Sequence, residues 1–266
     1  MPQFASGDIV SAIKEGFAEV DEKIVKLSNE AGWMNGSTGV IAVLVDTKLY
    51  IANVGDSEAC LVSEHEGGSK LVAENLTTPH KASDPVEKKR VEELGGHVFF
   101  GRVFGALAVS RSFGDSKFKK PKTSQNFVSC DPAIHIVDIK PEHKFLILAC
   151  DGLWDVMTHD AAADFAKQRI AAGETAEQVA HSLVSEALRK KTEDNVTVVV
   201  VLFSQTSSSN NSETSSTTKV SAAMAEGDPS THTTHEEQKT ATTIPTTPVI
   251  TGETPSDLPA VPADTE

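Results

Sequence analysis

Apolar residues recur every third or fourth position between Asp8 and about Asn29, at Ile9, Val10, Ile13, Phe17, Val20, Ile24 and Leu27. That spacing lines one face of a helix. After Gly36 the pattern becomes short apolar runs, Val40 to Val45, Leu49 to Val54 and Ala59 to Val62, divided by polar turns at Asp46-Thr47 and Gly55-Asp56. These predict an antiparallel meander. A second helix is marked from Pro85 to Leu94, with Asp84 as N-cap, Pro85 as first residue, Glu87 at the capping-box position and Gly95 past its end. Further runs at His97 to Phe100, Phe104 to Val109, Phe127 to Cys130, Ile134 to Val137 and Phe145 to Cys150 predict strands. Helical patterns at Ala161 to Arg169 and Thr175 to Leu188 precede a last strand that begins at Val196. Strands clustered by short loops beside a few long helices predict a layered α+β fold rather than an alternating parallel sheet.

From Ser204 onward the pattern stops. Residues 204–266 are Ser, Thr, Pro, Ala and Glu with almost no large apolar side chain, too little burial to offset the entropy of ordering. A disordered tail over 204–266 is therefore expected, after a folded domain over 1–203. The tail holds nine Asp and Glu against two Lys, half of the chain's net charge of −14. An acidic chain of this kind speaks against nucleic acid and against anionic membranes as partners. No apolar segment approaches the roughly 20 residues of a membrane span. Three widely spaced cysteines, Cys60, Cys130 and Cys150, suit core thiols of a reducing compartment, so a cytoplasmic or nuclear location is expected. Oligomeric state is not written in the pattern.

Candidate chemistry lies at the strand ends. The run Phe145 to Cys150 ends abruptly in Asp151-Gly152, and Asp194-Asn195 opens the last strand. If those strands are antiparallel neighbours, both carboxylates meet at one sheet edge and repel each other unless a cation lies between them. Asp155 lies four residues beyond Asp151, and Asp115 follows Gly114 in the segment from Arg111. Singly, an Asp beside a Gly is a turn signal. As a set, Asp151, Asp194, Asp115 and Asp155 offer the oxygen donors that a hard divalent cation takes. Gly55-Asp56-Ser57 reads better as a turn, and His80 and His97 read as satisfied histidines. No glycine-rich phosphate loop supports a nucleotide-binding reading.

Five segments, in order, resemble the motifs of the metal-dependent type 2C (PPM) protein serine/threonine phosphatases. They are Leu49 to Val62, Glu93 to Val98, Arg102 to Asp115, Phe145 to Met157 and Asp194 to Val201, and Gly36 to Leu44 also fits the family. The resemblance implies an antiparallel β-sandwich flanked by helices, with two Mg²⁺ or Mn²⁺ ions and a possible third at one edge. It implies phosphoprotein substrates, whose phosphoserine or phosphothreonine is hydrolysed by metal-activated water without a protein nucleophile. Carried onto this sequence, Asp151 and Asp194 match core metal ligands, and Asp115, with Asp151 and Asp155, matches a third-metal site. Asn195 is then a neighbouring support, and Gly152 and Gly114 are turn formers.

The family's Asp-Gly-His-Gly-Gly motif, which carries the carboxylate shared by two metals, does not occur in the sequence. The resemblance thus implies a phosphatase domain incomplete at its N-terminus, with exposed sheet edges and weakened metal affinity. A non-catalytic phosphatase-like binding module is the alternative expectation. Glu58 stands where the family usually has Arg, Phe104 where Asn is frequent, and Pro79 and Ala82 flank His80-Lys81 where Asp and Pro are usual.

Overall fold

The computed structural model describes residues 2–64, 71–206 and 217–229. Helix α1 (Pro2–Ala5) leads into α2 (Ile9–Ala31), whose Asp8 cap accepts from the Ser11 amide and which stops at Gly32 in left-handed geometry. Strands β1 (Gly36–Ser37), β2 (Gly39–Val45), β3 (Lys48–Val54), β4 (Glu58–Glu64) and β5 (Leu71–Asn75) follow, then α3 (Pro85–Glu93). The short pieces β6 (Val98–Phe99), β7 (Arg102–Val103) and β8 (Phe113–Gly114) precede β9 (Ala133–Asp138) and β10 (His143–Ala149). Helices α4 (Asp151–Trp154), α5 (His159–Ala171) and α6 (Ala176–Arg189) lead to β11 (Val196–Thr206) and β12 (Thr217–Gly227).

Two antiparallel sheets carry the fold, one ordered β12-β11-β10-β4-β5 and the other β2-β3-β9. Alternation along the strands assigns each face. Leu146 and Leu148 of β10 meet Leu49, Ile51, Ala59 and Leu61 between the sheets, with Val199 and Val201 of β11 packed against them. Their neighbours Phe145, Ile147, Val198 and Val200 point the other way, onto Ala163, Val179, Leu183 and Val184 of α5 and α6. On the outer face of the smaller sheet, Ile9, Ile13 and Phe17 of α2 cover Ala52 and Val54. The result is a layered α+β fold, as the pattern predicted, and a sandwich with helices on both sides, as the resemblance implied. A separate lobe between β5 and β9 has its own small core of Ala82, Val91, Val103, Phe118, Phe127 and Val128.

The structure differs from the sequence expectation in three places. Phe104 to Val109 and Phe127 to Cys130 are not strands; Leu107, Phe127 and Val128 enter the lobe core while the backbone makes isolated bridges, Val103 with Leu107, Lys81 with Val109 and Arg111 with Ser129. Positive φ at Phe104 and Gly105 breaks the extended path. Glu87 does not close a capping box, because its side chain is taken by Ser110, Arg90 and Arg111. Part of the segment expected as tail over 204–266 is strand instead: β11 continues to Thr206, and residues 217–227 add β12 to the sheet edge in register with all of β11. Small residues hid that strand. Ala223 and buried Ala225 pack on the helix-side core, and Gly227 approaches α6 so closely that a Cβ there would meet Val184 Cγ1 at 2.5 Å. Residues 230–266 lie outside the described residues.

Candidate metal centre

Register decides what meets at the edge. Strand β10 pairs antiparallel with β11 through Ala149 and Val198, and with β4 through Ala149 and Glu58. The end of β10 and the starts of β11 and β4 therefore lie side by side. Asp151 follows β10, Asp194 precedes β11 and Asp56 precedes β4, so three acids come to one end of three adjacent strands. The antiparallel condition set out for Asp151 and Asp194 is met.

Local bonds hold the junction. The Cys150 amide donates to the Thr197 carbonyl, the Thr197 amide donates to Cys150 Sγ, and Sγ donates to the Asn195 carbonyl at 3.2 Å. Gly152 is required there: a Cβ would sit 2.2 Å from the Asn195 carbonyl oxygen. Asp151 opens α4, with its carboxylate in the first turn where the helix dipole favours it. Asp155 caps the same short helix, its amide bonded to the Asp151 carbonyl at 2.8 Å. Trp154 Nε1 donates to the Ala149 carbonyl, fixing the turn against β10.

Electrostatics marks the cluster. Burial and the charges of Asp56, Asp194 and Asp155 push the Asp151 carboxyl above its ordinary range. Burial likewise raises Asp56, aided by Asp155 and Glu58 and opposed by its own backbone amide and Lys81. Two raised carboxyls beside the charges of Asp194 and Asp155 mark a space short of positive charge. The donor chemistry fits a hard divalent cation, but the count falls short: among the described residues, no three His, Cys, Asp or Glu side chains are grouped to hold one ion.

Asp115 has other company. It is buried at the end of β8, with left-handed φ of 48°, and accepts from Ser112 Oγ at 2.6 Å. Burial raises its carboxyl, against the Ser112 hydrogen bond and the charges of Lys119 and Lys117. Gly36 permits this placement, since a Cβ there would stand 2.0 Å from Asp115 Oδ2. Gly114, with φ of 74°, turns the chain against Asn35 and gives its amide to Asp21 Oδ1.

Sequence reasoning missed Asp56, which it read as a turn. The turn is real, with Gly55 at φ 85°, but the acid also follows the buried end of β3 with one residue between, much as Asp151 follows β10. It missed as well the charge cluster on α3. Glu87, buried on α3, accepts from Arg111 Nη2 at 2.6 Å, Ser110 Oγ at 2.6 Å and Arg90 Nε at 3.0 Å. Arg90 also reaches the Ser110 and Phe127 carbonyls, and Arg111 the Asp131 carbonyl. The network thereby ties α3 to the strand-like segment that leads to Asp115. His80 is a satisfied core histidine, its amide on the Gly55 carbonyl, with its pKa lowered to about 4 by burial first and then by Arg111. All three cysteines are free thiols, and burial pushes Cys60 up to about 12. Among the described residues, no helix is long and apolar enough to cross a membrane.

With this geometry in view, comparison with known proteins is specific. The family model described as Protein phosphatase 2C matches residues 1–196. Protein spalten of Dictyostelium discoideum is 40% identical over 200 residues, covering 73% of this chain and 20% of that protein. Protein phosphatase 2C homolog 3 of Schizosaccharomyces pombe is 36% identical over 205 residues, covering 74% of this chain and 48% of that one. The solved structure of a serine-threonine phosphatase 2C from Toxoplasma gondii superposes with a TM-score of 0.64 at 27% identity, covering 74% of this chain and 68% of that one. The chain spans about half or less of the length of these two curated relatives.

Proposed function

The chain belongs to the protein phosphatase 2C family, and on that premise we propose that it serves the metal-dependent hydrolysis of phosphoserine and phosphothreonine in proteins. The observation that carries this reading is the convergence of Asp56, Asp151 and Asp194 at one sheet end, with Asp151 raised by its acidic neighbours. Asp151 and Asp194 would hold Mg²⁺ or Mn²⁺, with Asp155 and Asp56 alongside. A bound cation of this kind supplies an activated water and a clamp for phosphoryl oxygens.

The chain's own residues provide the mounting. The bonds among Cys150, Thr197 and Asn195 fix the separation of Asp151 from Asp194, and Gly152 lets the two segments touch. The helix-dipole position of Asp151 favours its ionised, ligating form, while burial and like charge disfavour it until a cation arrives. No side chain acts as nucleophile in this reading.

Hydrolysis of a phosphothreonine peptide by the purified 266-residue chain, with and without millimolar Mn²⁺, tests it. The expected result is Mn²⁺-dependent turnover that Asp151→Asn abolishes. Folded protein that shows no turnover at any Mn²⁺ concentration overturns catalysis by this chain.

A further inference from the structure

Helix α4 is a single turn that opens with Asp151 and is capped by Asp155. A turn that short has little stability of its own, so its neighbours must hold it in place. On the side of β11 they do: Gly152 touches the Asn195 carbonyl, and Leu153 is buried in the helix-side core. These contacts seat Asp151 against Asp194. On the side of β4, toward Asp56, a different set of groups holds the turn.

Trp154 of α4 lays its ring against that of His159, the first residue of α5, with centroids 4.7 Å apart at 43°. Its indole donates to the Ala149 carbonyl at the end of β10. His159 Nε2 is enclosed and lies 3.3 Å from Glu58 Oε2, off the line of a hydrogen bond and without a hydrogen-bond partner among the described residues. Glu58 accepts from Asn75 Nδ2 of β5 and stands opposite Ala149 in the register of β4 with β10. The contacts therefore close a ring through β10, α4, α5 and β4, and Asp56 lies two residues before Glu58 on that ring. An enclosed ring nitrogen set against a carboxylate calls for an explanation. Glu58 is also where the sequence departs from the family's usual Arg, which has no acceptor to offer a ring N–H. Glu58 and His159 are matched to each other.

We propose that His159 is a positioning residue for the candidate metal centre. Placed beside Glu58 and packed on Trp154, it seats α4 against β4, and so fixes Asp151 and Asp155 relative to Asp56. It touches neither the cation nor the substrate. The role rests on the phosphatase reading, which supplies the cation that these acids would hold.

The test is isothermal titration calorimetry of Mn²⁺ into the full chain, beside Tm in EDTA. His159→Ala is expected to raise the Kd for Mn²⁺ about tenfold, the low end for groups that orient metal ligands. His159→Gln places an amide nitrogen near the imidazole Nε2 and a planar group beside Trp154, so its Kd is expected to stay within about twofold of the parent. Thr158→Ala removes the α5 cap bond to the Ala161 amide without touching Trp154 or Glu58. It is expected to lower Tm and leave the Kd unchanged. Trp154→Leu added to His159→Ala is expected to weaken binding by less than the product of the two single effects, because both act through one contact. A Kd for His159→Ala equal to or tighter than that of the parent overturns the role. So does an equal loss in Thr158→Ala, which would make the effect one of stability, and so do fully multiplicative effects. A parent that binds no Mn²⁺ overturns the metal reading and this role together, which tells the two failures apart.

Discussion

Two clusters of charge lie in this fold, and they are built on opposite principles. At the strand ends burial and the charges of Asp56, Asp194 and Asp155 raise Asp151, and burial with the charges of Asp155 and Glu58 raises Asp56. On α3 a single carboxylate, Glu87, is enclosed by Arg111, Arg90 and Ser110. Burial alone would raise Glu87, but the hydrogen bonds from Arg111 and Ser110 and the two guanidinium charges outweigh it and hold its pKa at about 2. Matched charge serves architecture here, pinning the lobe to the helix. Unmatched charge leaves affinity for a cation from solution, the condition the proposed site needs.

The comparison breaks most visibly at Glu87. Glu87→Ala leaves Arg111 and Arg90 without their carboxylate in a mostly buried site, and a loss of about 3–5 kcal/mol is expected by denaturant unfolding. A loss under about 1 kcal/mol would show that the network is decorative.

Acid titration separates the two clusters by sign. The folded pKa of Glu87 lies below its unfolded value, 4.5 against about 2, so its contribution is complete above the unfolded value and is lost as pH falls toward the folded one. The shift corresponds to roughly 3 kcal/mol. Asp151 is raised, so its contribution is complete below the ordinary Asp range and is lost as pH rises through its folded value. In EDTA, Glu87→Gln is expected to flatten the acid limb of the stability curve, and Asp151→Asn to flatten the decline on the other side.

The junction between β10 and β11 comes next in size. Gly152→Ala drives a Cβ into the Asn195 carbonyl, and a loss of about 1–3 kcal/mol is expected. Unchanged stability would mean that Asp151 and Asp194 are not held at a fixed separation.

The smallest effect has the opposite sign. Asp151→Asn removes one repelling charge, and a gain of about 0.5–1 kcal/mol is expected for the metal-free protein at neutral pH, as when function-linked strain is relieved. Mn²⁺ is expected to raise the Tm of the parent and to leave that of the variant unchanged. A variant less stable than the parent without metal would place Asp151 among the matched charges instead.

Much of this was legible along the chain. The 3.6-residue period marked α2, a helical pattern marked α6, and continuous apolar runs marked β2, β3, β10 and β11, because each rests on contacts that every such element must make. Asp151 and Asp194 stood out because an acid abutting a buried strand interrupts a strong pattern. Strand β12 escaped because alanines and a glycine carry little periodic signal. Glu87 escaped because a Glu three residues past an Asp cap is equally good sequence for a capping box, and only the arrival of Arg111 from 24 positions away decides between them.

What the sequence by itself determined is the set of local elements, the α+β class and the identity of the acids that end strands, since backbone propensity and burial period are properties of neighbours in the chain. Tertiary structure alone decided which of those acids share a space. Asp56 joined Asp151 because β4 lies beside β10, and Asp115 was given to Ser112 and Lys119 because β8 pairs with β1. Electrostatic partnership depends on distance through space, and strand order, which sets that distance, is not a local property of the chain.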